Sequence, residues 1–159
     1  MLDFHGEPQV VWLHKLLQIF CTKVFVSGRP DTIPGECEVI EDHYESGGPL
    51  NGILSAMRLH PSASWLVLPV DMPNVDGTVI RFMLTNRDES KIATYFVDPQ
   101  GQAIEPLPII LEASAFPLLM NRFEQGEASL NKFIKSAPSN QIIAQDPTWL
   151  TNVNSPEQL

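Results

Sequence analysis

Residues 65–71 read "WLVLPVD": six apolar residues that end abruptly in a carboxylate. Hydrophobicity that is continuous rather than alternating predicts a β-strand covered on both faces, the pattern of a parallel sheet flanked by helices. Asp71 then stands where the strand emerges. A carboxylate at such a tip can hold Mg²⁺, which takes one or two carboxylates and fills its remaining positions with phosphate oxygens and water. The same stretch continues "DMPNVD", which is good turn chemistry, so a capping or turn role for Asp71 is equally open on these residues alone.

Working outward, strand-like and helix-like segments alternate on either side. Towards the N-terminus, "GGPLNGILSAM" opens a helix that would pack through Leu50, Ile53, Leu54 and Met57. Gly52 lies inside its first turns, at a cost of up to about 1 kcal/mol relative to alanine. Gly47, Gly48 and Gly52 would let a base or ribose approach bare backbone; a positive-φ turn or tight helix–strand packing would explain them as well. Earlier still, "KVFVSG" (23–28) and "EVIED" (38–42) read as buried strands. "PQVVWLHKLLQIF" reads as a helix with Val10, Leu13, Leu17 and Phe20 on one face and Pro8 in its first turn. Asp42, at the end of its strand, is placed to accept hydrogen bonds from a base or ribose, or to be an ordinary strand-end acid.

Towards the C-terminus, Asp76 is positioned to cap a helix carrying Val79, Ile80, Phe82 and Met83. "KIATYFVD" and "PLPIILE" read as two strands around the loop "PQGQAIE", free to pair antiparallel. A helix from about Ser114 ends at Gly126, Ser129 can cap another, and "QIIAQD" is a late strand. Asn152 and Asn154 alternate about Val153, so both can face one cleft, or form a turn before Pro156. The predicted fold is α/β, a mainly parallel mixed sheet with helices on both faces, in a single domain over residues 1–159. In such folds ligands bind beyond the carboxyl ends of the strands. That rule points to Ser27–Arg29, to Asp42 with the loop after it, and to 71–73.

Bulk properties exclude several classes. The chain has 159 residues, a formal charge of −9 and an isoelectric point near 4.7, which argues against a nucleic-acid surface but not against a single-nucleotide pocket built from backbone N–H groups. No apolar run is long enough to span a bilayer and the start lacks signal-peptide character, so a cytoplasmic protein with no membrane partner is expected. Cys21 and Cys37 sit in no metal or redox spacing, and reduced thiols are expected. His5, His14, His43 and His60 are scattered without ligand spacing. There is no Walker phosphate loop, no G-x-G-x-x-G after a strand, and no nucleophile elbow.

Taken in order, "HGEP", "KVFVSGR", "VIED", "GGPLNGILSAM", "WLVLPVDMP", "EPLPIIL", "QGEASLNKFI" and "NVNSPEQL" resemble the molybdenum cofactor guanylyltransferases, the molybdopterin-guanine dinucleotide biosynthesis protein A family, within the wider Rossmann-like nucleotidyltransferases. The resemblance implies transfer of GMP from GTP to molybdopterin or the molybdenum cofactor, with release of pyrophosphate. It implies that Asp71 is the catalytic, Mg²⁺-binding aspartate. Ser27, Gly28, Arg29, Asp42, Gly48, Pro49, Leu50 and Gly52, with Asp71, would bind the nucleotide, and Asn152 and Asn154 the pterin cofactor. Proteins that handle the molybdenum cofactor would be partners. The family pattern starts with a strand and a glycine-rich loop of the kind L-x-G-G-x-S-x-R-M-G-x-x-K, and no such run is present. The resemblance therefore implies an N-terminally truncated domain with an absent central strand, exposed strand edges and weakened triphosphate binding. A cytidylyl- or sugar-phosphate nucleotidyltransferase, or a non-catalytic partner-binding remnant, are the alternative readings.

Overall fold

The computed structural model describes residues 5–44, 48–102 and 106–153. Within them the order is α1 (Gln9–Leu17), β1 (Val26–Ser27), β2 (Val39–Ile40), α2 (Pro49–Leu59), β3 (Trp65–Val67), α3 (Gly77–Thr85), β4 (Ala93–Val97), β5 (Ile109–Leu111), α4 (Ala115–Glu124), α5 (Leu130–Ser136) and β6 (Asn140–Ile143), with short 3₁₀ turns at Pro30–Thr32 and Pro147–Leu150. The predicted caps form. The Asp76 carboxylate accepts from Thr78 N–H at 2.7 Å and Val79 N–H at 3.1 Å, and Ser129 Oγ accepts from Lys132 N–H at 3.3 Å. Gly126 follows α4 with φ of +85°.

Strands β3 to β6 make one sheet in the order β3-β5-β4-β6. β4 and β6 run parallel, whereas β5 is antiparallel to both β3 and β4. β3, β4 and β6 therefore share one direction and β5 alone opposes them, which is a mainly parallel mixed sheet. The antiparallel pair is the one expected around the 99–105 loop. Two apolar clusters cover the sheet. One gathers Leu50, Leu54 and Met57 of α2, Leu119 of α4 and Phe133 and Ile134 of α5 against Tyr95, Ile109 and Leu111. The other packs Val79 and Met83 of α3, with Met72, Val75 and Leu150, against Phe96, Ile110 and Ile142. Alternate residues of one strand, such as Tyr95 and Phe96, thus enter opposite clusters, as the period-two geometry of a strand requires.

β1 and β2 form a separate parallel pair, with Val26 N–H donating to the Glu38 carbonyl at 2.8 Å and Gly28 N–H to the Ile40 carbonyl at 3.1 Å. Among the described residues β1 ladders only with β2, and β3 only with β5. The strand pairs inside the "KVFVSG" and "WLVLPVD" runs are correspondingly shorter than the apolar pattern predicts. Between the two sheets lies a cleft of about 1060 Å³, walled by 23–25 and Ser27 on one side and by the continuous run 63–71 on the other. Among the described residues no helix is long and apolar enough to cross a membrane.

Candidate active site

The polar end of this cleft is built by three chain segments. β1 and β2 run parallel, so both end on the same side and deliver Ser27 and Asp42 together. Ser27 Oγ donates to Asp42 Oδ1 at 3.3 Å. The start of α2 lies directly against this pair. A Cβ built on Gly52 would fall 2.1 Å from Ser27 Oγ and 3.5 Å from Asp42 Oδ1. Gly52 is therefore bare because strand-tip side chains occupy the space a methyl group would need. Gly48 is different. It precedes Pro49 as the N-cap of α2 with φ of +88° and ψ of 179°, a backbone conformation strained for any residue with a Cβ, and the space beside it is open.

Asp71 reaches the same cleft from the end of the 65–71 run. Its backbone is fixed at two points: Met72 after it is buried in the second cluster, and the Asp71 carbonyl accepts a hydrogen bond from Val153 N–H at 2.8 Å. Val153 is itself buried. This bond brings Asn152, which is exposed, to the neighbourhood of Asp71. Asn154 lies outside the described residues.

Ser27, Asp42, Gly48, Pro49, Gly52 and Asp71 all line the one cleft. Gly28, Arg29 and Leu50 do not. Gly28 is committed to β2 through its N–H, Arg29 is exposed with Asp31 at 4.0 Å as its weak partner, and the Leu50 side chain is inserted in the core. Neither Asp42 nor Asp71 has an ion-pair partner among the described residues, and the Asp71 carboxylate accepts no hydrogen bond among them. Those residues hold no group of three or more His, Cys, Asp or Glu able to cage a metal. A lone carboxylate on an open cleft suits Mg²⁺, which keeps its waters and takes its other ligands from phosphates, better than it suits a cation needing a full protein cage.

Sequence reasoning passed over two side chains behind this site. Asn51 and Ser55 are buried on α2, each 3% exposed, and both hydrogen-bond the backbone just after Asp42. The signal was available: two polar residues four apart, amid the apolar positions of α2, mark a polar seam facing something that needs partners.

Arg87 and Ser64, which also line the cleft, are joined to Glu112, Arg87 in an ion pair. Arg87 donates through Nε to Glu112 Oε1 at 2.7 Å and through Nη2 to Oε2 at 2.6 Å, and Ser64 Oγ donates to Oε2 at 2.7 Å. Burial by itself pushes the Glu112 carboxyl up, but the hydrogen bonds from Arg87 and Ser64 and the charge of Arg87 outweigh it and hold the group below its ordinary value of 4.5.

Comparison with known proteins bears on the fold and the family. The chain is 26% identical over 162 residues to a molybdenum cofactor biosynthesis bifunctional protein of Synechocystis, covering 99% of this chain and 46% of that protein, so it spans about half the relative's length. It is 25% identical to a molybdenum cofactor guanylyltransferase of Pseudomonas fluorescens, covering all of this chain and 82% of that one. The crystal structure of molybdopterin-guanine dinucleotide biosynthesis protein A from Archaeoglobus fulgidus shares the fold, with a TM-score of 0.76 at 19% identity over 98% of this chain and 84% of that one. The model of the MobA-like NTP transferase domain matches residues 1–142, and the chain belongs to that family.

Proposed function

We propose that the cleft binds GTP with Mg²⁺ and that the domain transfers GMP to the terminal phosphate of molybdopterin, with or without its metal. The observation that supports this most is the meeting of Asp42 and Asp71, carried on separate sheets, in one cleft with the Ser27 hydroxyl and the start of α2. An oxygen of the pterin phosphate attacks the α-phosphorus of GTP. A new P–O bond forms as the bond to the α–β bridging oxygen breaks, and that electron pair leaves with pyrophosphate.

Asp71 would hold the cation, which when bound neutralises phosphate charge and orients the groups for in-line displacement. Asp42, with Ser27 beside it, accepts hydrogen bonds from N–H groups of the base or hydroxyls of the ribose. Gly48 leaves open space at the helix entrance for the nucleoside, and the N–H groups of the first turn of α2 favour negative charge there. Asn152, next to the residue that bonds Asp71, would contact the pterin phosphate, which its uncharged amide suits.

Titration with GTP and CTP, with and without Mg²⁺, followed by calorimetry and ligand-observed NMR, tests the reading. Mg²⁺-dependent binding that favours GTP and is lost in Asp71→Ala is the expected result. Equal binding of both nucleotides, or indifference to Mg²⁺ and to Asp71→Ala, overturns it.

A further inference from the structure

We propose that Asn51 and Ser55 are positioning residues that fix the Asp42 carboxylate for nucleoside recognition; this rests on the nucleotide reading of the cleft. Asn51 uses both ends of its amide on one residue. Its Oδ1 accepts from Tyr44 N–H at 3.0 Å and its Nδ2 donates to the Tyr44 carbonyl, so the side chain imitates a neighbouring strand. One turn further along α2, Ser55 Oγ accepts from His43 N–H at 2.9 Å and donates to the Asn51 carbonyl at 2.8 Å. The two backbone units that follow Asp42 are therefore tied to α2 by buried side chains, at the point where Gly52 of the same helix receives Ser27 and Asp42.

β2 ends its ladder at Ile40, so no strand pairing holds residues 41–44. Without the clamp, the anchor beyond Asp42 among the described residues would be the Tyr44 ring, which meets Phe123 edge-on at 5.2 Å and whose hydroxyl contacts Met120 Sδ at 3.5 Å. A carboxylate that must meet donors on a nucleoside loses affinity when its backbone wanders, because binding must then also order the loop. The clamp supplies that order beforehand, from a helix rather than from a strand.

The test is a double-mutant cycle read by GTP titration in the presence of Mg²⁺, using NMR so that millimolar affinities are measurable. Asn51→Ala is expected to weaken GTP about tenfold, the loss associated with one to two buried hydrogen bonds, and to speed amide exchange at His43 and Tyr44. In an Asp42→Asn background the same substitution is expected to have little further effect, because its influence passes through Asp42. Ser55→Ala removes a single hydroxyl with little change in volume and is expected to show the same non-additivity at smaller size, which keeps the test usable should Asn51→Ala unfold. If Asp42→Asn weakens GTP but Asn51→Ala and Ser55→Ala add to it in full, the positioning role falls and the nucleotide reading stands. If Asp42→Asn leaves GTP binding unchanged, the reading of Asp42 falls and the positioning role with it.

Discussion

Strands β3 and β4 begin from similar sequence and end in different surroundings. All five residues of Ala93–Val97 are buried, whereas all three of Trp65–Val67 are half-buried. The faces do not explain this. Trp65 and Val67 pack on one apolar cluster and Leu66 and Leu68 on the other, so β3 is covered on both faces, as its continuous hydrophobicity predicts. The difference lies in the edges. β4 has β5 on one side and β6 on the other, while β3 has β5 alone among the described residues and borders the cleft. The molecule thus has a closed half, which supplies cohesion, and an open half, where the polar tips of β1 and β2 face Asp71 across a gap. The residues proposed for chemistry sit on the less tightly held side.

The largest effect should come from the closed half. Phe96 is 1% exposed, with Phe82 stacked at 6.2 Å and Trp149 edge-on at 6.5 Å, so Phe96→Ala is expected to cost about 3–5 kcal/mol of unfolding free energy. A matched pair makes the contrast cleaner. Val97→Ala on β4 should cost about 2 kcal/mol and Val67→Ala on β3 correspondingly less, in proportion to the surface each has buried. Urea unfolding of the three variants measures this, and equal losses at Val97 and Val67 would abolish the distinction between the halves.

Next in size is the ion pair of Glu112 with Arg87, which lines the cleft. Arg87 is a quarter exposed and Glu112 largely buried, so Glu112→Gln is expected to cost about 2 kcal/mol, short of the 3–5 kcal/mol for a fully buried pair. The folded-state value of Glu112 is lowered, so the folded protein binds this proton less readily than the unfolded chain. The stabilisation is therefore complete above the ordinary glutamate value near 4.5 and is lost as pH falls through the lower folded value. Unfolding free energy should fall more steeply in wild type than in Glu112→Gln across that acid interval. Parallel curves would mean the pair contributes no pH-dependent stability.

Much of this organisation could be read from residue types. Alternation of strand-like and helix-like runs gave the fold class, Asp76 and Ser129 announced their caps, and the carboxylates at 42 and 71 marked strand ends that meet in one cleft. What the pattern could not carry was pairing. Hydrophobicity reports whether faces are covered and says nothing about edges, so the 65–71 run read as a longer ladder than β3 makes. Leu50 shows a related limit: in a helix entrance, neighbours on the chain point in different directions, and its side chain turns into the core while Gly48 and Pro49 line the cleft. The bond from Val153 to the Asp71 carbonyl joins distant parts of the chain through backbone atoms alone, and no side-chain pattern encodes it.

The smallest effect tests whether the open half is nevertheless built tightly where its segments meet. Gly52 has no positive φ, so a methyl group there would slightly favour the helix itself. Against that gain stands the Ser27 hydroxyl, 2.1 Å from the new Cβ, with Ser27 Cβ at 3.0 Å. Both atoms belong to a side chain on a two-residue ladder, which can retreat from α2 more easily than a strand in the main sheet. Gly52→Ala is therefore expected to cost only about 1 kcal/mol, the low end for overpacking. Ser27→Gly removes both clashing atoms, so the double variant should recover most of that loss and be more stable than the sum of its parts. Thermal unfolding of the two single variants and the double variant decides it. Simple additivity would mean that β1 and α2 do not press on each other, and that the bare backbone at Gly52 answers to something other than Ser27.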